Sequence, residues 1–370
     1  QVSAVMGRQI DETLLKDIIP DLDLSRWLSI CGDVAVLSAI EADWQFAHDK
    51  IREHLISSIE ATQFREINQK IAQAIEARFT DTLDDYAPVL AQFYKDADIA
   101  EKEAYYAVEA SKKLKDFIPL DSLKFMNRAL KLKAYNYTDN PQEAYADLEL
   151  LHGNLLVILS QFDASKTAYD TALDIYQHLD DEVGMAKVMT SLGEWGFMTS
   201  NLDEAIPYLE QSIPILEKHE EWLYLAYANM NMATVQNRLG DNEVSGSYTQ
   251  KSYEIALKLN DDILISKSLN NLAIYHDMKG DWDKAIEIHQ QALAIRRRID
   301  DKSGIAFSLT NMGAIESDRE NYDLQRQYVE EALLNIRPTG NKRTEADIIN
   351  ALAKVNLKLG YEDIGIAYLK

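Results

Sequence analysis

One cysteine, Cys31, stands in the whole chain, so no disulfide framework and no cysteine-based zinc spacing is available. Glycine and proline are scarce, 14 and 7 of 370 residues, and no linker rich in either divides the sequence. No apolar run nears the roughly 20 residues of a membrane-spanning helix, and the N-terminus lacks the charged-then-apolar layout of a secretory leader. Basic residues are in deficit: 38 against 61 acidic, for a net charge of −23. Such a field repels phosphate backbones. No G-x-x-x-x-G-K-S/T occurs, and Gly340-Asn341-Lys342-Arg343-Thr344 is only a faint echo of it; H-E-x-x-H and G-x-S-x-G are missing too. The seven histidines show no ligand spacing, and His276 and His289 read as polar residues on helix surfaces. These absences predict a cytoplasmic, contiguous, mainly helical body with no enzyme site, no nucleic-acid partner and no membrane partner.

What the chain does have is a spacing of forty residues. Residues 269–313 carry Leu272-Ala273, then Gly280-Asp281-Trp282, Ala285 and Ala292-Leu293. Stepping by forty, the small residue recurs as Gly153, Gly193, Ala233, Gly313 and Ala353; the residue before it is apolar throughout except at His152. The Ala-Leu position recurs as Ala172-Leu173, Ser212-Ile213, Ser252-Tyr253 and Ala332-Leu333, and the turn as Ser200-Asn201, Gly240-Asp241, Glu320-Asn321 and Gly360-Tyr361. The physical unit is an antiparallel helix pair: small residues let the helices approach, the turn residue ends the first helix, and the aromatic fills the corner. First helices are expected near 146–159, 186–199, 226–239, 266–279, 306–319 and 346–359, facing the concave side. Second helices are expected near 163–178, 203–218, 243–259, 283–299 and 323–336. The pairs Asp180-Asp181, Glu220-Glu221, Asn260-Asp261 and Asp300-Asp301 read as N-caps and first-turn charges. Pro207 falls in an expected first turn, where it is tolerated, whereas Pro214 predicts a kink or a weakening of about 3 kcal/mol. Residues 359–370 begin a further second helix and stop, which would leave an apolar face open, so the natural protein is expected to extend further.

These marks resemble the tetratricopeptide repeat family in a version longer than its usual ~34 residues, similar to the repeats of peptide receptors and signalling ATPases. The resemblance implies an all-α fold, an α-solenoid of tetratricopeptide hairpins over 136–370, with a trough that grips a protein or peptide.

Residues 1–80 do not follow the period. Residues 11–18 and 24–31 read as short helices parted by Pro20, 34–40 and 43–46 as a two-strand wing, and 47–59 as a helix with apolar spacing at Ile51, Leu55, Ile56 and Ile59. Together they read as a winged-helix domain; 81–135 reads as degenerate helical repeats or linker. The order Val5, Gly7, Arg8, Ile10, Asp11, Leu14, Leu15, then Phe46, His48, Arg52, Glu53, then Arg65, Ile67, Asn68, Ile71, Ala72 is similar to the region after the nucleotide-binding core of bacterial STAND signalling ATPases, the MalT-like and NOD-like group. That resemblance implies a missing upstream domain holding ADP or ATP, no cofactor in this chain, and a homo-oligomer on activation. It also implies that His48 reaches the ADP β-phosphate. The other reading of His48 is a capping or buried residue at a helix start. DNA binding is disfavoured, because 1–80 carries eight basic against thirteen acidic residues.

The concave lining supplies the remaining candidates. Asn231, Asn271 and Asn311 recur one residue ahead of the apolar-small pair, where an amide can bond a peptide backbone, or else the neighbouring helix in a structural ladder. Tyr227, Lys267, Asn270, Phe307, Glu194, Asn237 and Arg238 share that face by repeat position. Tyr227, Phe307 and Phe197 are either aromatic anchors or packing between hairpins. Arg296-Arg297-Arg298 ends an outer helix, where positive charge suits the dipole, or marks a partner site. The competing classes are a free-standing scaffold or peptide-pheromone receptor, and an enzyme with its site in the groove.

Overall fold

In the computed structural model of the protein, which describes residues 1–40 and 43–369, the chain forms two compact units. The first comprises Gln1–Lys113 and Lys124–Tyr137; the second comprises Leu114–Leu123 and Thr138–Lys370.

In the first unit, helices α1 (Val2–Met6), α2 (Glu12–Ile18) and α3 (Leu24–Asp33) precede strands β1 (Leu37–Ile40) and β2 (Asp43–Phe46). The Asp11 and Asp23 side chains cap α2 and α3 by accepting from Leu14 N and Arg26 N at 2.9 and 3.1 Å. The strands pair antiparallel with Leu37 opposite Phe46, so both side chains enter one core with Ala4, Ile10, Leu15 and Leu28. Gln9 bridges Gln45, giving the hairpin a third edge through Ile10 N to Trp44 O at 2.8 Å and Phe46 N to Arg8 O at 3.0 Å. Helices α4 (Asp49–Ser57), α5 (Ala61–Arg78), α6 (Ala87–Asp96), α7 (Ala100–Leu114) and α8 (Pro119–Lys131) follow, the last residue of α7 and the first turn of α8 being counted with the second unit. Ile71, Ala72 and Ile75 of α5 pack on Leu90 and Tyr94 of α6 and Tyr106 of α7. A carboxylate ties this core: Glu76 accepts from Tyr94 Oη at 2.7 Å, Tyr106 Oη at 2.5 Å and Lys102 Nζ at 2.9 Å. Burial opposes the Glu76 charge, but these donors outweigh it and lower its pKa.

Among the described residues the second unit holds six hairpins: α9 (Pro141–Ile158) with α10 (Phe162–His178), α11 (Glu182–Met198) with α12 (Leu202–Lys218), α13 (Trp222–Leu239) with α14 (Asn242–Leu259), α15 (Asp262–Met278) with α16 (Trp282–Arg298), α17 (Lys302–Asp318) with α18 (Tyr322–Ile336), and α19 (Lys342–Lys358) with α20 (Glu362–Leu369). Lys370, at the end of the stretch expected to start the last helix, lies outside the described residues. From α9 through α11, α13 and α15 to α17, each first helix touches the one before it, which places them on the inner row. The fold is all-α, an α-solenoid, apart from the small hairpin of the first unit.

The small-residue marks have a steric cause. A Cβ on Gly153 would lie 2.4 Å from the Tyr169 ring, and one on Gly193 would lie 2.5 Å from Leu209. Ala233, Ala273 and Ala353 are buried at the same positions.

Three expectations need correction. The inner helices begin about four residues sooner than the periodicity suggests, because the capping residue is the second of each pair before the helix. The Asp181 side chain accepts from Val183 N and Gly184 N at 3.0 and 2.9 Å, Asp261 from Leu264 N at 3.0 Å, and Asp301 from Gly304 N at 2.8 Å. The first residue of each pair, Asp180, Glu220, Asn260 or Asp300, adopts positive φ between 51° and 57° and closes the preceding helix. The third concerns α12, which runs unbroken through Pro214, while Pro207 stands in its second turn. Both prolines are exposed, as are Asp203 and Glu210, whose carbonyls the prolines leave without an amide. On an exposed face such carbonyls are open to solvent, which lowers the cost of the lost amides and lets the helix continue.

Candidate functional site

The inner helices of the second unit enclose a cavity of about 510 Å³. Glu194 of α11, Lys267 of α15, Phe307 and Asn311 of α17 and Arg343 of α19 line it, together with Asp116 and Pro119 from the segment Leu114–Leu123. The Arg343 guanidinium of the last hairpin stacks over the Phe162 ring at the start of α10, 5.6 Å from its centroid, so the trough is walled by the first and last hairpins.

Its electrostatic centre is Lys267. The ammonium lies 3.4 Å from Asp116 Oδ1 and 5.5 Å from the centroid of the Tyr227 ring. About a third of the Lys267 side chain, 36 %, remains exposed, against 18 % of Asp116. Enclosure disfavours the charge, yet the Tyr227 hydroxyl and the Asp116 and Glu194 carboxylates outweigh it and raise the lysine pKa, so Lys267 is a fixed cation. Glu194 reaches water but is surrounded by trough walls; that enclosure, helped by Asp116 and opposed by Lys267, raises its pKa. Lys267 pulls the Tyr227 hydroxyl downward, but burial and the nearby carboxylates Asp116, Asp261 and Glu194 prevail and raise it. Beside this charged centre stands an apolar wall. Phe307 is 48 % exposed toward the cavity, an aromatic without a closed pocket of its own.

The sequence candidates fall into two places. Glu194, Lys267, Phe307 and Asn311 share the trough, with Tyr227 stacked on Lys267. Asn237, Arg238 and Asn271 instead line a separate recess of about 180 Å³ with Phe197 and Thr234, where the Arg238 guanidinium sits 4.9 Å from the Phe197 centroid. The three asparagines form the interhelix ladder. Asn231 donates to Thr190 O at 3.2 Å, Asn271 to Thr234 Oγ1 at 3.3 Å, and Asn311 to Asn270 Oδ1 at 3.2 Å. One amide donor of each is therefore spent on the preceding inner helix. Tyr227 and Phe197 pack into the core, whereas Phe307 does not.

Other candidates resolve differently. His48 is the N-cap of α4; its exposed side chain makes no capping bond, so it is neither a capping nor a buried histidine. His289 is not on a surface but 1 % exposed within α16, and burial, then the nearby Arg296, lower its pKa to about 4. Arg296 is buried too, donating to Gly304 O at 2.8 Å, Ser308 Oγ at 2.6 Å and Ser266 O at 3.4 Å. It ties α15, α16 and α17 together rather than answering a helix dipole. Arg297 and Arg298 pair with Glu331 and Asp262. Gly340 and Asn341 are the turn into α19 and Lys342–Thr344 its first turn, with Gly340 at φ 75° and Asn341 Oδ1 accepting from Thr344 N at 3.1 Å. Asp116 and Arg343 went unrecognised as site residues, because Asp116 lies outside the repeat and Arg343 in the first turn of α19, ahead of the face the periodicity marks.

No curated protein sequence matches this chain. The tetratricopeptide repeat family matches over residues 135–218 and 224–298. Among solved structures, the Rap conjugation gene regulator of plasmid pLS20 in complex with the Phr* peptide superposes with a TM-score of 0.60 at 15 % identity, covering 86 % of this chain and 90 % of that one. A Rap protein complexed with competence and sporulation factor gives 0.56 at 13 %, covering 84 % and 95 %. A STAND protein with a tetratricopeptide repeat sensor from Pyrococcus horikoshii gives 0.47 at 13 %, covering 99 % of this chain and 60 % of that one. The repeat match and the Rap superpositions agree on the fold: the second unit is an α-solenoid of tetratricopeptide hairpins.

Proposed function

We propose that the trough is a recognition site for a short peptide, or a peptide segment of a protein, and that the chain is a non-catalytic sensor without a cofactor of its own. The observation that carries this reading is the pairing of a fixed cation, Lys267, with a half-exposed aromatic, Phe307, inside one walled cavity. A cation and an aromatic anchor are the elements a peptide with one acidic and one apolar side chain engages. The Rap relative bound to a peptide supports it through the shared fold. Among the described residues no cluster of His, Cys, Asp and Glu has the arrangement of a metal site, and no helix is long and apolar enough to cross a membrane.

The test is selection from a random decapeptide library on the immobilised chain. Selected peptides bind the wild type and lose at least tenfold in affinity with Lys267→Gln or Phe307→Ala, while Lys251→Ala on the outer helix α14 changes nothing. Peptides that bind all three variants alike contradict the reading, as does failure to select any.

Within that reading, the motif order from Val5 to Ala72 favours a cytoplasmic sensor arm of a STAND-type ATPase. The first unit, read as a winged helix, then couples ligand binding to the nucleotide state and oligomerisation of an upstream domain, and exposed His48 contacts its ADP. His48→Ala in the protein carrying that domain speeds ADP release; unchanged ADP release and basal activity refute the role. A peptide receptor that works through the repeats alone is the second reading, favoured by the Rap superposition over 86 % of the chain.

A further inference from the structure

Three aspartates cap inner helices through one carboxylate oxygen each, Asp181 on α11, Asp261 on α15 and Asp301 on α17. Of the three, Asp301 alone lines the trough. It is 7 % exposed, yet half of its carboxylate is uncommitted. Oδ1 accepts from Gly304 N at 2.8 Å, and Oδ2 has no hydrogen-bond or ion-pair partner among the described residues. Nor is Oδ2 sealed in, as the unpartnered Arg296 Nε is. Gly304 leaves the space that Oδ2 occupies, since a Cβ there would overlap it. A carboxylate oxygen held this deep is costly when nothing donates to it, and the space it faces is the cavity. Its neighbours set the kind of donor that fits. The charges of Arg296 and Lys267 both act on Asp301. A third cation beside them would be repelled, so the matching donor is an uncharged N–H.

We propose that Asp301 is a specificity-determining residue of the trough, and that its Oδ2 accepts a hydrogen bond from a neutral amide N–H of the bound peptide, in its backbone or in an Asn or Gln side chain. This deepens, and rests on, the peptide-recognition reading. Lys267, Phe307 and Asp301 then hold three different groups of one ligand: a carboxylate, an apolar side chain and an amide. A ligand that enters without the amide leaves the Asp301 oxygen buried and unpaired, which is how a site that hydrogen-bonds its ligand rejects analogues lacking the donor.

The probe is a decapeptide selected from the library on the wild-type chain, titrated into the full chain. It is remade with each backbone amide N-methylated in turn, and with each Asn or Gln replaced by Leu or Met. One of these changes weakens binding to the wild type about tenfold. The same change has no effect on Asp301→Asn, in which an N–H takes the place of Oδ2 while the cap on α17 survives. Asp301→Ser, which keeps a capping oxygen on a shorter side chain, gives the same result. Asp261→Asn, the same cap outside the cavity, leaves the tenfold loss in place, and thermal melts confirm that the variants are folded. A sensitive N-methyl position identifies the backbone as the donor, and a sensitive Asn or Gln identifies the side chain. Equal losses on wild type, Asp301→Asn and Asp301→Ser overturn the proposal, as does a series in which no single change weakens binding to the wild type. Peptides that need Lys267 and Phe307 but show no coupling to Asp301 sink this inference and leave peptide recognition standing. Absence of any peptide binding sinks both.

Discussion

His289 shows how much a single buried imidazole matters here. Its side chain is 1 % exposed, its Nδ1 finds no partner among the described residues, and the Arg296 guanidinium on the same helix further disfavours a second positive charge. The folded pKa, about 4, therefore lies below the ordinary 6.5. In the window between these values the unfolded chain binds the proton and the folded chain does not, so stability is complete above pH 6.5 and falls as pH drops toward 4. The loss reaches up to about 3 kcal/mol by the linkage of pKa to free energy. His289→Gln flattens that slope, which urea melts of wild type and variant at pH 7.0, 5.5 and 4.5 measure directly. Parallel pH profiles would show that the histidine is not the titrating group. Acidification acts on Glu76 in the same direction, because its lowered pKa makes its bonds to Tyr94, Tyr106 and Lys102 fail as the carboxylate protonates. The comparison is therefore between variant and wild type rather than between pH values alone.

At the scale of helices, the forty-residue marks were legible because each is a packing constraint. Gly193 faces Leu209, which is fully buried and has nowhere to go, whereas a Cβ on Gly313 would meet Val329 Cγ2 at 3.2 Å, a gap a small shift accommodates. Gly193→Ala is expected to lose about 1–2 kcal/mol, overpacking outweighing the gain in helix propensity. Gly313→Ala is expected to stay within about 1 kcal/mol of wild type, since its gain in propensity offsets its tighter contact. Thermal melts of the two variants give the order; equal losses would mean the marks do not report helix approach. The capping pairs were half legible. Composition identified them, but not that Asp180 and its equivalents turn left-handed while Asp181, Asp261 and Asp301 cap and Glu221 does not, because a charge pattern carries no φ angle. The prolines of α12 misled for a related reason. Seven residues apart, both lie on one exposed face, and exposure decides whether a lost amide matters.

For the molecule as a whole, repeat position brought Glu194, Tyr227, Lys267, Phe307 and Asn311 to one trough but also nominated Asn237, Arg238 and Asn271, which line a separate recess. Asn237 and Arg238 lie near the C-terminal end of α13, away from the trough, and Asn271 shares its repeat position with Asn311 but stands on another hairpin, so a shared face does not mean a shared cavity. Asp116 was out of reach of any such reasoning: it meets Lys267 across 151 residues of sequence and obeys no period. Nothing in an Arg-Arg-Arg run says which of the three turns inward, so the burial of Arg296 is not legible in the sequence. The account stands on the inner row being where a ligand is held. Hydrogen exchange of the chain saturated with a library-selected peptide tests this most directly. Protection is expected within 190–198, 263–271 and 303–311 on α11, α15 and α17. Protection confined to the outer helices α12, α14, α16 and α18, with the inner row unchanged, would contradict it.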